Sequence, residues 1–224
     1  MTSVGTLIET YSPKIDWDKK AKDKAKELGV SKDDVLKEWE EARDKGIAKG
    51  KALHERKHSE YLGQNNYISY EYMKLDDEFV YSPENYIVSE GYIYDEKPFV
   101  HPKYQLVGIP DRVAIVDGKV NIDDFKSDKA IYLTAKTFKN GRFTTKQKML
   151  PPVAHLDYCN YIKYCLQLSF YMKLVLDNNK TLRPGKLRIL HTIHDEETLE
   201  PIEEKIIEIP YFRKEINEIL KTMK

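Results

Sequence analysis

At 224 residues and 41% hydrophobic content, the chain is long enough for one sizeable domain with a filled core. Its 37 basic and 37 acidic residues cancel, which excludes a uniformly basic or acidic protein, so any polyanionic partner must be met by a local concentration of positive charge. Two cysteines, Cys159 and Cys165, exclude a disulfide framework and a four-thiolate cluster, and without a membrane-length apolar run or a signal-peptide apolar core the expectation is a soluble, intracellular protein with no membrane partner.

Residues 1–17 read as irregular. From Asp18 to about Leu62 the pattern is helical, with a break at LGVS where Ser31 can cap a second helix. Gly46 and Gly50 predict a kink or break inside that second helix. The segment NYIVSEGYIYD, 85–95, is rich in β-branched and aromatic residues and reads as a strand. In YQLVGIPDRVAIVDGKVNIDDFKS, 104–127, Asp117-Gly118 between two apolar-rich runs signals a hairpin. The stretch 126–148 carries six Lys and one Arg against the single Asp128, a local net of +6, interleaved with Tyr132, Phe138 and Phe143, a pattern that suits a polyanion with stacking bases or a solvated loop. A helix through 156–179, strands at 186–194 and 203–209 and a terminal helix from Tyr211 complete an α/β or α+β sheet partly covered by helices, without repeats.

Within the second helix, HERKH (His54–His58) fits H-E-x-x-H, in which two histidines one helical turn apart hold zinc and the Glu is the base. Arg56 and Lys57 stand between Glu55 and His58, and cations beside a zinc ion are unfavourable. No third ligand is singled out among Glu71, Glu78, Glu84 and Glu90. A zinc protease is therefore the weakest reading, and His58 reads as a solvated or core histidine.

The hairpin carries more chemistry. With Asp117 and Gly118 as the loop, Ile115 opposes Val120, Val113 opposes Ile122 and Asp111 opposes Asp124, all on one face, joined by Lys126; Asp123 and Phe125 point the other way. Two opposed carboxylates at about 5 Å repel by roughly 3 kcal/mol at an effective dielectric of about 20. A divalent cation with oxygen ligands, Mg²⁺ or Mn²⁺, relieves that repulsion, and Lys126 would stand beside it; the plain alternative is that Lys126 only neutralises the aspartates.

GIPDRV followed by IDDFKS resembles motifs II and III of the PD-(D/E)XK nuclease superfamily, in its RecB-type branch. GKALHERKHSEYL is similar to that branch's upstream helix with a metal-binding His, here His54; VSEGYIY to the strand leading into the hairpin, with Glu90 in the acidic position; and QLSFY to its Q-x-x-x-Y motif, here Gln167 and Tyr171. The likeness spans about residues 38–192 and extends to phage-type and mitochondrial genome-maintenance exonucleases. The acid of the lysine motif is Asp where Glu is also common.

The resemblance implies a restriction-endonuclease-like core over about 85–210, with a central mixed sheet containing the antiparallel hairpin, flanked by helices, and a helical N-terminal part over about 1–62, in one domain. It implies a metal-dependent deoxyribonuclease, an exonuclease of recombination, repair or replication acting on single- or double-stranded DNA, with a helicase or recombination protein as a further partner. His54, Asp111, Asp124 and the Phe125 carbonyl would hold Mg²⁺ or Mn²⁺; Asp111, Asp124 and Lys126 would be catalytic; Gln167, Tyr171, Glu90 and Lys129 would support the site or the substrate. The alternative of another class is a non-catalytic nucleic-acid-binding module of the same fold.

Overall fold

The computed structural model describes residues 1–70, 82–135, 137–139, 142–144, 147–195 and 197–223. Strand β1 (Thr2–Ser3) leads into α1 (Val4–Thr10), which Ser3 caps by accepting the Thr6 N–H at 3.1 Å. This short helix lies where irregular chain is expected; its Val4, Leu7 and Ile8 are buried in the main core, so packing and a cap outweigh its brevity. Helix α2 (Trp17–Leu28) ends at Gly29 in the left-handed region (φ 71), and α3 (Lys32–Ser59) starts at a capping box between Ser31 and Asp34, as the LGVS break predicts. The expected break at Gly46 or Gly50 is absent: α3 runs unbroken for 28 residues. Each glycine costs a helix only about 1 kcal/mol.

The remaining elements are β2 (Tyr67–Ser69), β3 (Ile93–Asp95), β4 (Phe99–His101), β5 (Leu106–Gly108), β6 (Arg112–Val116), β7 (Lys119–Lys126), β8 (Thr137–Lys139), β9 (Arg142–Thr144), α4 (Asn160–Asn178), β10 (Arg183–His194), β11 (Pro201–Ile209) and α5 (Arg213–Thr222). Six strands form a mixed sheet in the order β11-β10-β7-β6-β3-β2, in which β10 is parallel to β7, β2 is parallel to β3 and the other neighbours are antiparallel. A smaller sheet joins β1, β5 and β4, and β8 pairs with β9 inside the basic stretch.

The strand expected over 85–95 is shorter. Only Ile93–Asp95 is strand, because Gly91 turns the chain at φ 80 and the side-chain amide of Asn179 occupies the backbone at 86–88, accepting the Val88 N–H and donating to the Tyr86 carbonyl.

Two faces of β7 serve two layers. Val120 and Ile122 join Leu166, Phe170 and Leu174 of α4 in the main core, while Phe125 packs with Leu53 of α3 and Leu190 of β10 on the other side. The sheet thus lies between α4 and the last turns of α3, and the open end of the β6–β7 hairpin is the place where both helices can reach the same strand. Among the described residues no helix is long and apolar enough to cross a membrane.

Candidate functional site at the open end of the hairpin

Asp117 (φ 53) and Gly118 (φ 65) make the two-residue turn, and the ladder pairs Val116 with Lys119, Ile115 with Val120, Val113 with Ile122 and Arg112 with Asp123. This is the register expected from the Asp-Gly step as far as Arg112; the expected pair of Asp111 with Asp124 is not part of the ladder. Beyond Arg112 the chain leaves the ladder: the Asp111 carbonyl accepts the Glu96 N–H at 3.0 Å, and the Asp111 carboxylate reaches across to accept the Phe125 N–H at 2.5 Å. The side chain therefore satisfies a strand donor that β6 no longer covers.

Asp124 is fully buried, and among the described residues neither of its oxygens receives a hydrogen bond in proper alignment. Lys126 supplies charge without that alignment, its Nζ lying 2.5 Å from Asp124 Oδ2 and 4.9 Å above the Tyr164 ring. Asp123 faces the opposite side, gripped by Arg188 at 2.6 and 2.9 Å. The two neighbouring aspartates divide as side-chain alternation requires.

From α3, His54 Nδ1 lies 3.0 Å from Glu96 Oε1 and Nε2 lies 3.8 Å from Asp111 Oδ2. Glu96, held below its ordinary value by the His54 contact, is ionised and only accepts, so the hydrogen belongs on Nδ1. A histidine oriented in this way by a carboxylate presents Nε2 as a metal-binding lone pair. The Glu96 contact raises His54 against the effect of burial, with Asp111 and Asp124 adding to the rise. Burial, and then the charge of Asp124, push Asp111 up to about 7. For Lys126, burial pulls downward, but Asp124 and Asp111 together with Asp128 leave it raised and charged.

Helix α4 supplies the remaining wall. Gln167 Nε2 donates to Tyr171 Oη at 2.8 Å, and the Tyr164 hydroxyl donates to Asp128 at 2.5 Å. Burial, and next the charge of Asp124, raise Tyr171, so it stays a neutral hydroxyl facing the carboxylates. Its ring packs on Gly108, where an added Cβ would stand 2.7 Å from Tyr171 Cδ1 and 2.7 Å from Leu174 Cδ1. Gly108→Ala is expected to push α4 off β5 and to cost about 1–3 kcal/mol of stability, measured by chemical denaturation.

Not every expected residue reaches this place. Glu90 accepts the N–H groups of Asp117 and Gly118 at 2.7 and 3.0 Å, so it braces the turn at the far end of the hairpin, about 20 Å from Asp111 along the strand. It is a structural acid, and its expected place in the site is corrected. Lys129 lies exposed in the loop after β7 and lines a cavity against α3. His58 is held by Asp95 at 3.1 Å and the Tyr67 hydroxyl at 2.8 Å. Glu55 is exposed beside Lys51 at 3.8 Å, and Lys57 is buried against Glu60 and Glu204, so the H-E-x-x-H face carries no base directed at the histidines. Glu71 and Glu78 lie outside the described residues, as do parts of the basic stretch.

Glu96 and Tyr164 are the residues that sequence reasoning missed. Glu96 reaches His54 from a left-handed backbone (φ 52), which no motif announces. Tyr164 does have a signal, since Tyr164, Gln167 and Tyr171 are spaced i, i+3, i+7 on one helix face.

Among the described residues no three His, Cys, Asp or Glu side chains already converge as a metal cage. The donors engage one another instead: Asp111 holds Phe125 N–H, and Asp124 is in charge contact with Lys126. Their chemistry nevertheless fits a hard cation, because a fully buried carboxylate without an aligned donor stands near a second carboxylate that ionises only at a cost. The chain matches no model of a known protein family, and no curated protein sequence matches it significantly.

Proposed function

We propose that the chain is a metal-dependent nuclease that hydrolyses DNA phosphodiester bonds, with a restriction-endonuclease-like core and an exonuclease mode. The observation that carries this reading is Asp124, buried without an aligned hydrogen bond, with Lys126 at 2.5 Å and its charge felt by Asp111. The mixed sheet built round the hairpin and flanked by α3 and α4 supports the fold half of the reading, and the approach of His54 to Asp111 supports its donor set.

His54 Nε2, Asp111, Asp124 and the Phe125 carbonyl would hold Mg²⁺ or Mn²⁺. When bound, such an ion polarises a phosphoryl oxygen and lowers the pKa of water. Lys126, kept charged by its aspartates, orients the attacking water and stabilises negative charge growing on the phosphorus oxygens. Glu96 fixes the His54 ring, and Tyr164 supports the lysine from below through its ring face. Gln167 and Tyr171 present an amide and a neutral hydroxyl to the same groove.

The test is digestion of end-labelled single- and double-stranded DNA with Mg²⁺, Mn²⁺ or chelator. Stepwise loss of terminal nucleotides that stops with chelator is the expected result. Binding without cleavage under either metal would instead favour the non-catalytic module.

A further inference from the structure

A cavity of 520 Å³ opens between α3 and the loop that follows β7. One wall begins at Ser127, directly after Lys126; the other is the α3 face carrying Ala42, Lys45, Gly46 and Lys49. Gly50, one residue beyond Lys49, brings the walls together, since a Cβ there would lie 3.8 Å from Ser127 Oγ. Four residues later α3 delivers His54. The cavity therefore adjoins the catalytic groups on both of its walls.

Its charge is graded. Lys49 and Lys45 lie five and nine residues before His54, about 7.5 and 13.5 Å along the helix, with Lys129 opposite. Further out on the same face stand Glu41 and Glu38, which repel a polyanion, and Asp128 turns its carboxylate towards Tyr164. At Gly46 an added Cβ meets nothing within 4 Å, so the centre of this face is open.

We infer that this groove holds the sugar-phosphate backbone of one nucleic-acid strand next to the bond being cut, with Lys49 and Lys45 on successive phosphates. The footprint ends where Glu41 begins. This deepens the nuclease reading and rests on it, but it concerns binding and is measured separately from cleavage.

The experiment is fluorescence anisotropy of a labelled single-stranded oligonucleotide with the full chain in chelator, repeated across a salt series, and then cleavage with Mn²⁺. Lys45→Glu/Lys49→Glu is expected to weaken binding at least about tenfold and to flatten the slope of log affinity against log salt by about 1.4. Gly46→Leu is expected to weaken binding as well, by filling the groove, while its melting temperature does not fall, because leucine is the better helix former. Lys103→Glu/Lys214→Glu, the same charge change outside the groove, should leave affinity within about twofold. Wild-type affinity in the groove variants, or equal losses in groove and control variants, would overturn the inference. Groove-dependent binding without cleavage supports the groove and overturns the hydrolytic reading.

Discussion

Asp111→Asn is expected to stop cleavage and, in the metal-free protein at pH 8, to raise the melting temperature. Asparagine keeps an oxygen for the Phe125 N–H, so the hydrogen bond at 2.5 Å has a like replacement. What it removes is a charge that burial and Asp124 oppose, moving the carboxyl from 3.8 to about 7. The sign follows from proton linkage. A carboxyl raised in the fold contributes stability that is complete below the unfolded value, near 4, and is lost as pH rises to about 7. Above pH 7 the full cost is present, roughly 4 kcal/mol from the shift alone. Solvent screening of a carboxylate that keeps 15% exposure lowers it to about 2–3 kcal/mol.

For a chain of this length that corresponds to about 4–12 °C in melting temperature. The advantage of the variant should shrink as pH falls from 7 towards 4, and Mg²⁺ or Mn²⁺ should stabilise the wild type at pH 8 but not the variant. Thermal melts with chelator and with metal at both ends of that range measure all three effects. A variant no more stable than wild type at pH 8 would remove the conflict between the carboxylates on which the metal assignment rests.

Which aspartate of IDDFK joins that conflict was legible in the residues because two local rules fix it, whereas Asp111 stands outside the ladder and is placed by its Glu96 and Phe125 contacts. An Asp-Gly step sets a two-residue turn, and the period of two along a strand then separates Asp124 from Asp123. The break between α2 and α3 was legible for the same kind of reason, through Ser31 and Gly29. Glu90 misled because an acid before the hairpin has the same sequence context whether it serves the open end or the turn; in the fold it accepts the Asp117 and Gly118 N–H groups. Glu96 was hidden because its direction depends on a left-handed backbone at a non-glycine position, which a sequence does not signal. Residues 86–88 departed from strand because their partner is a side chain, Asn179, from the end of α4, 91 residues away.

The sharpest contrast lies within IDDFK. Asp123→Ala is expected to cost about 3–5 kcal/mol, because it strips the bidentate partner from Arg188 and removes the carboxylate that lies 3.8 Å from the buried Arg112. Arg188 is about one-third exposed, which places the loss towards the lower figure. Asp124→Ala removes a carboxylate that the fold leaves without an aligned hydrogen bond, while Lys126 keeps its Tyr164 contact and the charge of Asp111. Its stability should fall by less than that of Asp123→Ala, because Lys126 keeps Asp111 as a partner and the repulsion between the two carboxylates is relieved, while Mn²⁺-dependent cleavage falls at least about a thousandfold. Urea denaturation and single-turnover cleavage of the two variants separate the roles. Cleavage surviving in Asp124→Ala, or equal stability losses in both, would mean that the inward-facing aspartate is a structural charge like its neighbour and that the hairpin end is not a catalytic centre.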